Sequence, residues 1–237
     1  MAAARRASAA SNVLSWEGKD IRAVLFDLDG TLYRQTPMRA LMAVELAALG
    51  FRRPTVAPAH WRALRAYRRA QEVLRETGGA SASRQLEWAA HRAGIAQAEL
   101  ASLVDEWMVR RPLKYLRACL APGLLHLLDL LERRGIPMGV FSDYPADAKL
   151  SALGLAGRFT VVLCAADPAV GAFKPDPRGF LVACDRLGAP PHEVLMVGDR
   201  ADTDGAGARA AGMPCVIVGK DPFPNLERLC RAFDHGR

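Results

Sequence analysis

Two aspartates, Asp27 and Asp29, stand one residue apart where an apolar run ends, in the stretch AVLFDLDGTLYRQ. In an extended strand residues two apart share a face, so both carboxylates are expected to project together. Left unpaired, they would repel and push protons onto one another. A divalent cation removes that conflict, and Mg²⁺ favours hard oxygen ligands with one or two protein carboxylates. Three later stretches bring help. Ser142 ends the run in GVFSDYP and offers a hydroxyl. Lys174 lies in AFKPDPRGF just before a helix start, with Asp176 as the expected N-cap and Pro177 at the first helical position. Asp199 ends the run in VLMVGDRADTD, and Asp204 follows five residues on. Carboxylates, a hydroxyl and an ammonium gathered at one rim make, by electrostatics alone, a phosphate and Mg²⁺ site.

The elements that must carry these residues alternate in texture. Short apolar runs at 21–26, 138–141, 160–164, 194–197 and 215–218 are bounded by Gly, Pro, Asp or Ser and read as strands buried on both faces, the mark of a parallel sheet. Helical patterns lie at 124–134, 146–153, 178–187 and 204–211, and Gly135, Gly154, Gly188 and Gly212 stand where C-terminal glycines belong. This alternation predicts a doubly wound, Rossmann-like α/β core, whose ligands bind outside the carboxyl ends of the strands. The stretch between the first run and Pro122 holds no convincing strand. It reads as helices at 40–49, 60–75, 83–93 and 100–109, with breaks at ETGGAS and RRPL. In 60–76, Leu64, Tyr67, Gln71 and Leu74 share one face, and Arg62, Arg65, Arg69, Glu72 and Glu76 the other. The expected organisation is a disordered tail over 1–19, a core of 20–33 and 119–237, and an all-helical insertion over 34–118.

Composition narrows the classes. The 237 residues are 51% hydrophobic and 24% charged, which is ordinary for a globular chain. The leucine-rich GLLHLLDLLERRG is broken by His126, Asp129 and Glu132, so no membrane span is expected. Five scattered cysteines without CxxC spacing argue against a disulfide framework or zinc site and for a reducing compartment. The first sixteen residues carry Arg5 and Arg6, no acid and no apolar core, so a cytoplasmic setting is expected; their Ala, Arg and Ser content leaves an organellar leader open. The net charge of +7 is concentrated in residues 34–117, where fifteen Lys and Arg face seven Asp and Glu. Such an excess suits solvated helix faces, a small anionic substrate or nucleic acid.

DxDGT at 27–31, the strand-end Ser142, Lys174 in KPDP and GDxxxxD at 198–204 resemble, in order and spacing, the four motifs of the haloacid dehalogenase-like (HAD) hydrolases. The resemblance spans residues 20–220, and the helical insertion is similar to the cap of one subclass. It implies a double displacement. Asp27 attacks phosphorus and forms an aspartyl-phosphate. Asp29 protonates the departing alkoxide and then deprotonates the hydrolytic water. Mg²⁺ is held by Asp27, by the Asp29 backbone carbonyl and by Asp199. Ser142 hydrogen-bonds a phosphoryl oxygen, and Lys174 neutralises the transferring group. Thr31 steadies the loop, and Asp204 orients Lys174 or a metal-bound water, with Asp202 as the competing candidate for that role.

Within the resemblance, Asp29 separates this chain from haloacid dehalogenases, which lack the second aspartate because their leaving group needs no proton. A phosphatase or phosphomutase needs it. Mutases often carry Val or Ala at the position of Thr31, so a phosphatase acting on a small phosphorylated metabolite is the expectation, with a phosphomutase of the same fold as the alternative. Phosphonate hydrolases need a cap lysine, and Lys114, the one lysine of the insertion, lies at its exit. Phosphoglycolate phosphatases usually continue DGTL with an acidic residue and Ser, where this chain has YRQTP. Arg34, Arg39, Arg65, Arg68 and Arg69 are candidates to clamp a second anionic group. A nucleic-acid-binding or regulatory protein with a vestigial hydrolase fold is the reading from another class; the complete catalytic set speaks against it, and no nucleic-acid or membrane partner is expected.

Overall fold

A computed structural model describes residues 13–77 and 82–235. The chain enters through an antiparallel hairpin, β1 (Leu14–Trp16) and β2 (Lys19–Ile21). This corrects the tail expected over 1–19, whose first twelve residues lie outside the described ones. Leu14 and Trp16 flank exposed Ser15 with the period of a strand, and Trp16 packs edge-on against Phe233, ring centroids 6.1 Å apart.

β3 (Ala23–Phe26) is buried throughout and leads into helices α1 (Gln35–Arg52), α2 (Ala57–Thr77), α3 (Ala82–Ala93), α4 (Gln97–Val104) and α5 (Arg111–Leu116). The chain then alternates α6 (Leu124–Arg133), β4 (Met138–Ser142), α7 (Asp147–Leu153), β5 (Val161–Cys164) and α8 (Arg178–Leu187). It closes with β6 (Val194–Gly198), α9 (Ala206–Ala210), β7 (Cys215–Ile217) and α10 (Phe223–His235).

β3 to β7 form one parallel sheet in the order β5-β4-β3-β6-β7. The order reverses at β3, so β3 is central and its carboxyl end is the switch point of a doubly wound sheet. Alternation along β3 decides what covers each face. Val24 and Phe26 join the leucines of α6, Leu150 and Leu153 of α7 and Phe233 of α10. Ala23 and Leu25 join Phe180, Ala183 and Leu187 of α8 and Ala208 of α9. In α6, Leu124, Leu127, Leu128 and Leu131 repeat at helical spacing, and each removed from water contributes about 1.5–3 kcal/mol.

Helices α2, α3 and α4, with Trp107 beyond them, have their own smaller core of Ala63, Tyr67, Ala70, Ala89, Ala90, Leu100, Leu103 and Trp107. Helix α1 contributes no buried residue, and Phe51 at its end is 92% exposed. The break expected at RRPL is absent. From α4 the chain runs without interruption through a wide π-type segment, Asp105–Arg110, into α5, and Pro112 follows directly on that segment, where the regular i→i−4 ladder is already widened. The break expected at ETGGAS falls at 78–81, outside the described residues. No helix among the described residues is long and apolar enough to cross a membrane.

Candidate active site

β3 stops at Phe26, and residues 27–33 turn away from the sheet. The alternation of a strand therefore no longer governs Asp27 and Asp29, and the two carboxylates take different partners, while Asp29 stays within electrostatic range of Lys174 and Asp199. The Asp27 N–H still donates to the Val197 carbonyl at 2.8 Å, which fixes Asp27 over the junction of β3 and β6. Its carboxylate is buried. Oδ1 accepts from Lys174 Nζ at 2.6 Å, and Oδ2 from the Thr31 hydroxyl at 3.2 Å. Lys174 Nζ also donates to Asp204 Oδ1 at 2.8 Å and stands 5.1 Å from the centre of the Phe141 ring. Asp204 Oδ2 accepts the Arg200 N–H at 3.1 Å.

Asp199 follows β6 and completes a group in which carboxylate oxygens of Asp27, Asp199 and Asp204 lie within 4.8 Å of one another. Two glycines make room for it. Gly30 adopts φ +108°, and a Cβ there would meet Asp199 Oδ2 at 2.2 Å. A Cβ on Gly198 would meet the Asp204 Cβ at 2.4 Å. Neither position tolerates a side chain.

Three carboxylates around one ammonium leave excess negative charge. Burial pushes the Asp27 carboxyl well above its usual range, with Asp204 and Asp199 adding to the rise against the pull of Lys174. Burial, then the neighbouring Asp204 charge, raises Asp199 to about 6. Lys174 moves the other way from what burial alone would do, because Asp27 and Asp204 hold its proton. A divalent cation among these hard oxygens would relieve the strain, so the donor set fits Mg²⁺.

Asp29 occupies a different setting. Lys149 Nζ, on α7, donates to both of its oxygens at 2.6 and 2.7 Å, and the Tyr33 hydroxyl donates to Oδ1. Burial would raise Asp29, yet Lys149 and Tyr33 outweigh it and hold the carboxyl below its usual range. Its carboxylate stands outside the three-aspartate group, and its main-chain carbonyl accepts the Gln35 amide.

The remaining expected residues divide. Ser142 ends β4, the immediate neighbour of β3, and is buried at the same edge; its Oγ accepts the Tyr144 N–H at 3.3 Å. Of the two candidate aspartates, Asp204 is buried on Lys174, whereas Asp202 is exposed and paired with Arg200 at 3.1 Å. Asp176 accepts the Arg178 N–H at 2.9 Å, but Pro177 takes the cap position, one residue later than expected. Lys114 pairs with Glu45. Arg68 is exposed on α2; partial desolvation and the like charge of Arg39 lower it, with Tyr144, Tyr33 and Asp29 opposing. Sequence reasoning missed Lys149, Tyr33 and Gln35. One signal existed, since Lys149 is one of five lysines in an arginine-rich chain and stands in the first turn of the helix that follows a strand end.

A family model described as haloacid dehalogenase-like hydrolase matches residues 21–212. The phosphoglycolate phosphatase of Rhodospirillum rubrum is 33% identical over 224 residues, 88% of this chain and 85% of that one. The glyceraldehyde 3-phosphate phosphatase of Methanopyrus kandleri is 29% identical over 219 residues, 87% and 88% of the two chains. Among solved structures, a 2-haloacid dehalogenase from Pseudomonas syringae pv. tomato superposes with a TM-score of 0.57 at 28% identity, over 83% of this chain and 86% of the other. A match that begins just before the central strand and ends just beyond α9 places this chain in the haloacid dehalogenase-like hydrolase family.

Proposed function

We propose that the protein is a Mg²⁺-dependent phosphatase that cleaves a small phosphomonoester through an aspartyl-phosphate on Asp27. Family membership and phosphatase-named relatives make it a phosphoric monoester hydrolase. The observation that carries the finer reading is Lys174 Nζ shared between Asp27 and Asp204, with Asp199 beside them. A nucleophile, a fixed positive charge and a cation-binding set then meet at the switch point of the sheet.

In the first step an Asp27 oxygen forms a bond to phosphorus as the ester P–O bond breaks; Asp29 is ionised in the free protein, so the proton it passes to the departing oxygen must arrive with the substrate's phosphate monoanion. In the second, water attacks the same phosphorus, its proton passes to Asp29, and the Asp27 carboxylate is released. Lys174 opposes the rise that burial imposes on Asp27 and faces the charge of the transferring group. Ser142 presents its hydroxyl to a phosphoryl oxygen. Thr31 and Lys174 each hold one Asp27 oxygen and so fix the orientation of the carboxylate. Mg²⁺ would be held by the carboxylates of Asp27 and Asp199 and the Asp29 carbonyl, and would supply charge neutralisation on the phosphoryl oxygens. That carbonyl takes the Gln35 amide here, so loading exchanges one hydrogen bond.

The helices over 34–118 act as a cap that closes over this edge and excludes water. Their arginine excess suits a substrate with a second anionic group, and Arg68 with Arg39 is the best-placed pair for it. All five cysteines are unpaired, as a reducing, cytoplasmic setting requires. The purified protein is expected to hydrolyse 4-nitrophenyl phosphate with Mg²⁺, to stop in EDTA, and to lose activity in Asp27→Asn. Turnover retained in that variant rules out the nucleophile. A panel of phosphorylated metabolites, phosphoglycolate and glyceraldehyde 3-phosphate included, then ranks substrates.

A further inference from the structure

We propose that Asp143 is a positioning residue that couples the seating of the helical cap to the placement of Lys174. The inference rests on the reading of the sheet edge as a phosphoryl-transfer site and adds residues outside that machinery. Asp143 lies between Ser142 and Tyr144 and divides its carboxylate between two bodies. Oδ1 accepts the backbone N–H of Lys174 at 3.1 Å. Oδ2 accepts the Gln71 amide at 3.0 Å and an Arg75 guanidinium N–H, both from α2. The side chains of Arg75 and Asp143 are only 10% and 11% exposed, so this ion pair is shielded from water and salt. Removing one member of such a pair leaves an uncompensated charge.

Two further contacts run in parallel. Arg75 Nη1 donates to Glu72 Oε1 at 2.6 Å, and Glu72 in turn lies 3.5 Å from Arg200, whose N–H holds Asp204. Tyr144 packs into the cap core, accepts the Gln85 amide at 2.9 Å and has its ring 6.3 Å from that of Phe173, the residue before Lys174. Residues 142–144 thus meet, in order, the site, the lysine loop with α2, and the cap interior. A group that only fastened α2 would need no bond to the Lys174 N–H. One that only fixed the lysine loop would need no arginine. With α2 seated, the Asp143 carboxylate is pinned by charge-assisted bonds and holds the Lys174 backbone from which Nζ reaches Asp27.

The test uses Arg75→Ala in the full chain, with Arg75→Lys as the conservative partner, followed by amide hydrogen exchange and by turnover of 4-nitrophenyl phosphate. Exchange at the Lys174 N–H should rise at least tenfold in Arg75→Ala, with β4 unchanged, and return most of the way in Arg75→Lys. The kcat should fall tenfold or more while KM moves less than twofold, and adding Asp143→Ala to Arg75→Ala should cost little more. Unchanged exchange at Lys174 in a folded Arg75→Ala protein overturns the coupling. That readout needs no turnover, so a wild-type protein without phosphatase activity would sink the functional reading and still leave the coupling decided by exchange.

Discussion

Asp27 and Asp29 belong to one turn but to two opposite halves of the site. Around Asp27 three carboxylates gather, two of them share a single ammonium, and burial drives the proton on. Around Asp29 a lysine and a phenol serve a single carboxylate, and the proton is driven off. Environment, and not residue type, sets the two carboxyls apart, and without a bound cation it favours the proton on Asp27 and the charge on Asp29. The half with too much negative charge fits a cation. The half with a matched charge holds Asp29 ionised.

The sharpest way to break this contrast is Asp27→Asn. It removes the attacking oxygen and is expected to cost at least about ten-thousand-fold in kcat. It also leaves Lys174 paired one-to-one with Asp204, so the thermal midpoint should hold or rise. Next comes Asp29→Asn. An alkyl phosphate, whose leaving oxygen must be protonated, should lose about 10²–10⁴-fold in kcat. A 4-nitrophenyl ester, whose leaving group departs as an anion, should lose much less in the first step. Equal losses on both substrates in the single-turnover rate of the first step would deny Asp29 the acid role. A smaller effect is expected from Lys149→Met. Lys149 lowers the Asp29 pKa, so its removal should move whichever limb of the pH–rate profile Asp29 governs to higher pH. A profile that stays in place would detach Lys149 from the acid–base group.

The same contrast explains what the sequence disclosed. Asp27, Ser142 and Asp199 sit at or just past ends of strands whose apolar runs are unmistakable, and parallel strands in a doubly wound order bring such ends together. Spacing along the chain was therefore a fair proxy for proximity. Lys174 and Asp204 follow because each is tethered a few residues from such an edge. Lys149 was hidden because it reaches Asp29 across 120 residues of sequence from a helix with no motif of its own. Asp143 and Arg75 were hidden for a similar reason, since an aspartate after a strand and an arginine on a charged helix look alike whether solvated or paired. The entry hairpin escaped because each arm has three residues, and KDI carries two charges before its one buried side chain. RRPL misled because a proline that follows directly on a widened helical segment reads locally like one that ends a helix.

The mildest expected effect concerns Asp199, whose folded carboxyl is raised from 3.8 to about 6 by burial and by Asp204. A raised acid binds its proton more tightly in the folded than in the unfolded chain. Its stabilising contribution is therefore complete below about pH 4 and is lost as the pH rises through 6, by at most about 3 kcal/mol. A divalent cation takes the place of that proton and should restore the loss. In the metal-free protein, unfolding midpoints should decline between pH 4 and 7. Added Mg²⁺ should raise the midpoint at pH 8 and do little at pH 5. Asp199→Asn should flatten the metal-free decline and remove most of the Mg²⁺ response. A Mg²⁺ shift of equal size at both pH values would place the cation away from this carboxylate and return the three aspartates to a purely structural account.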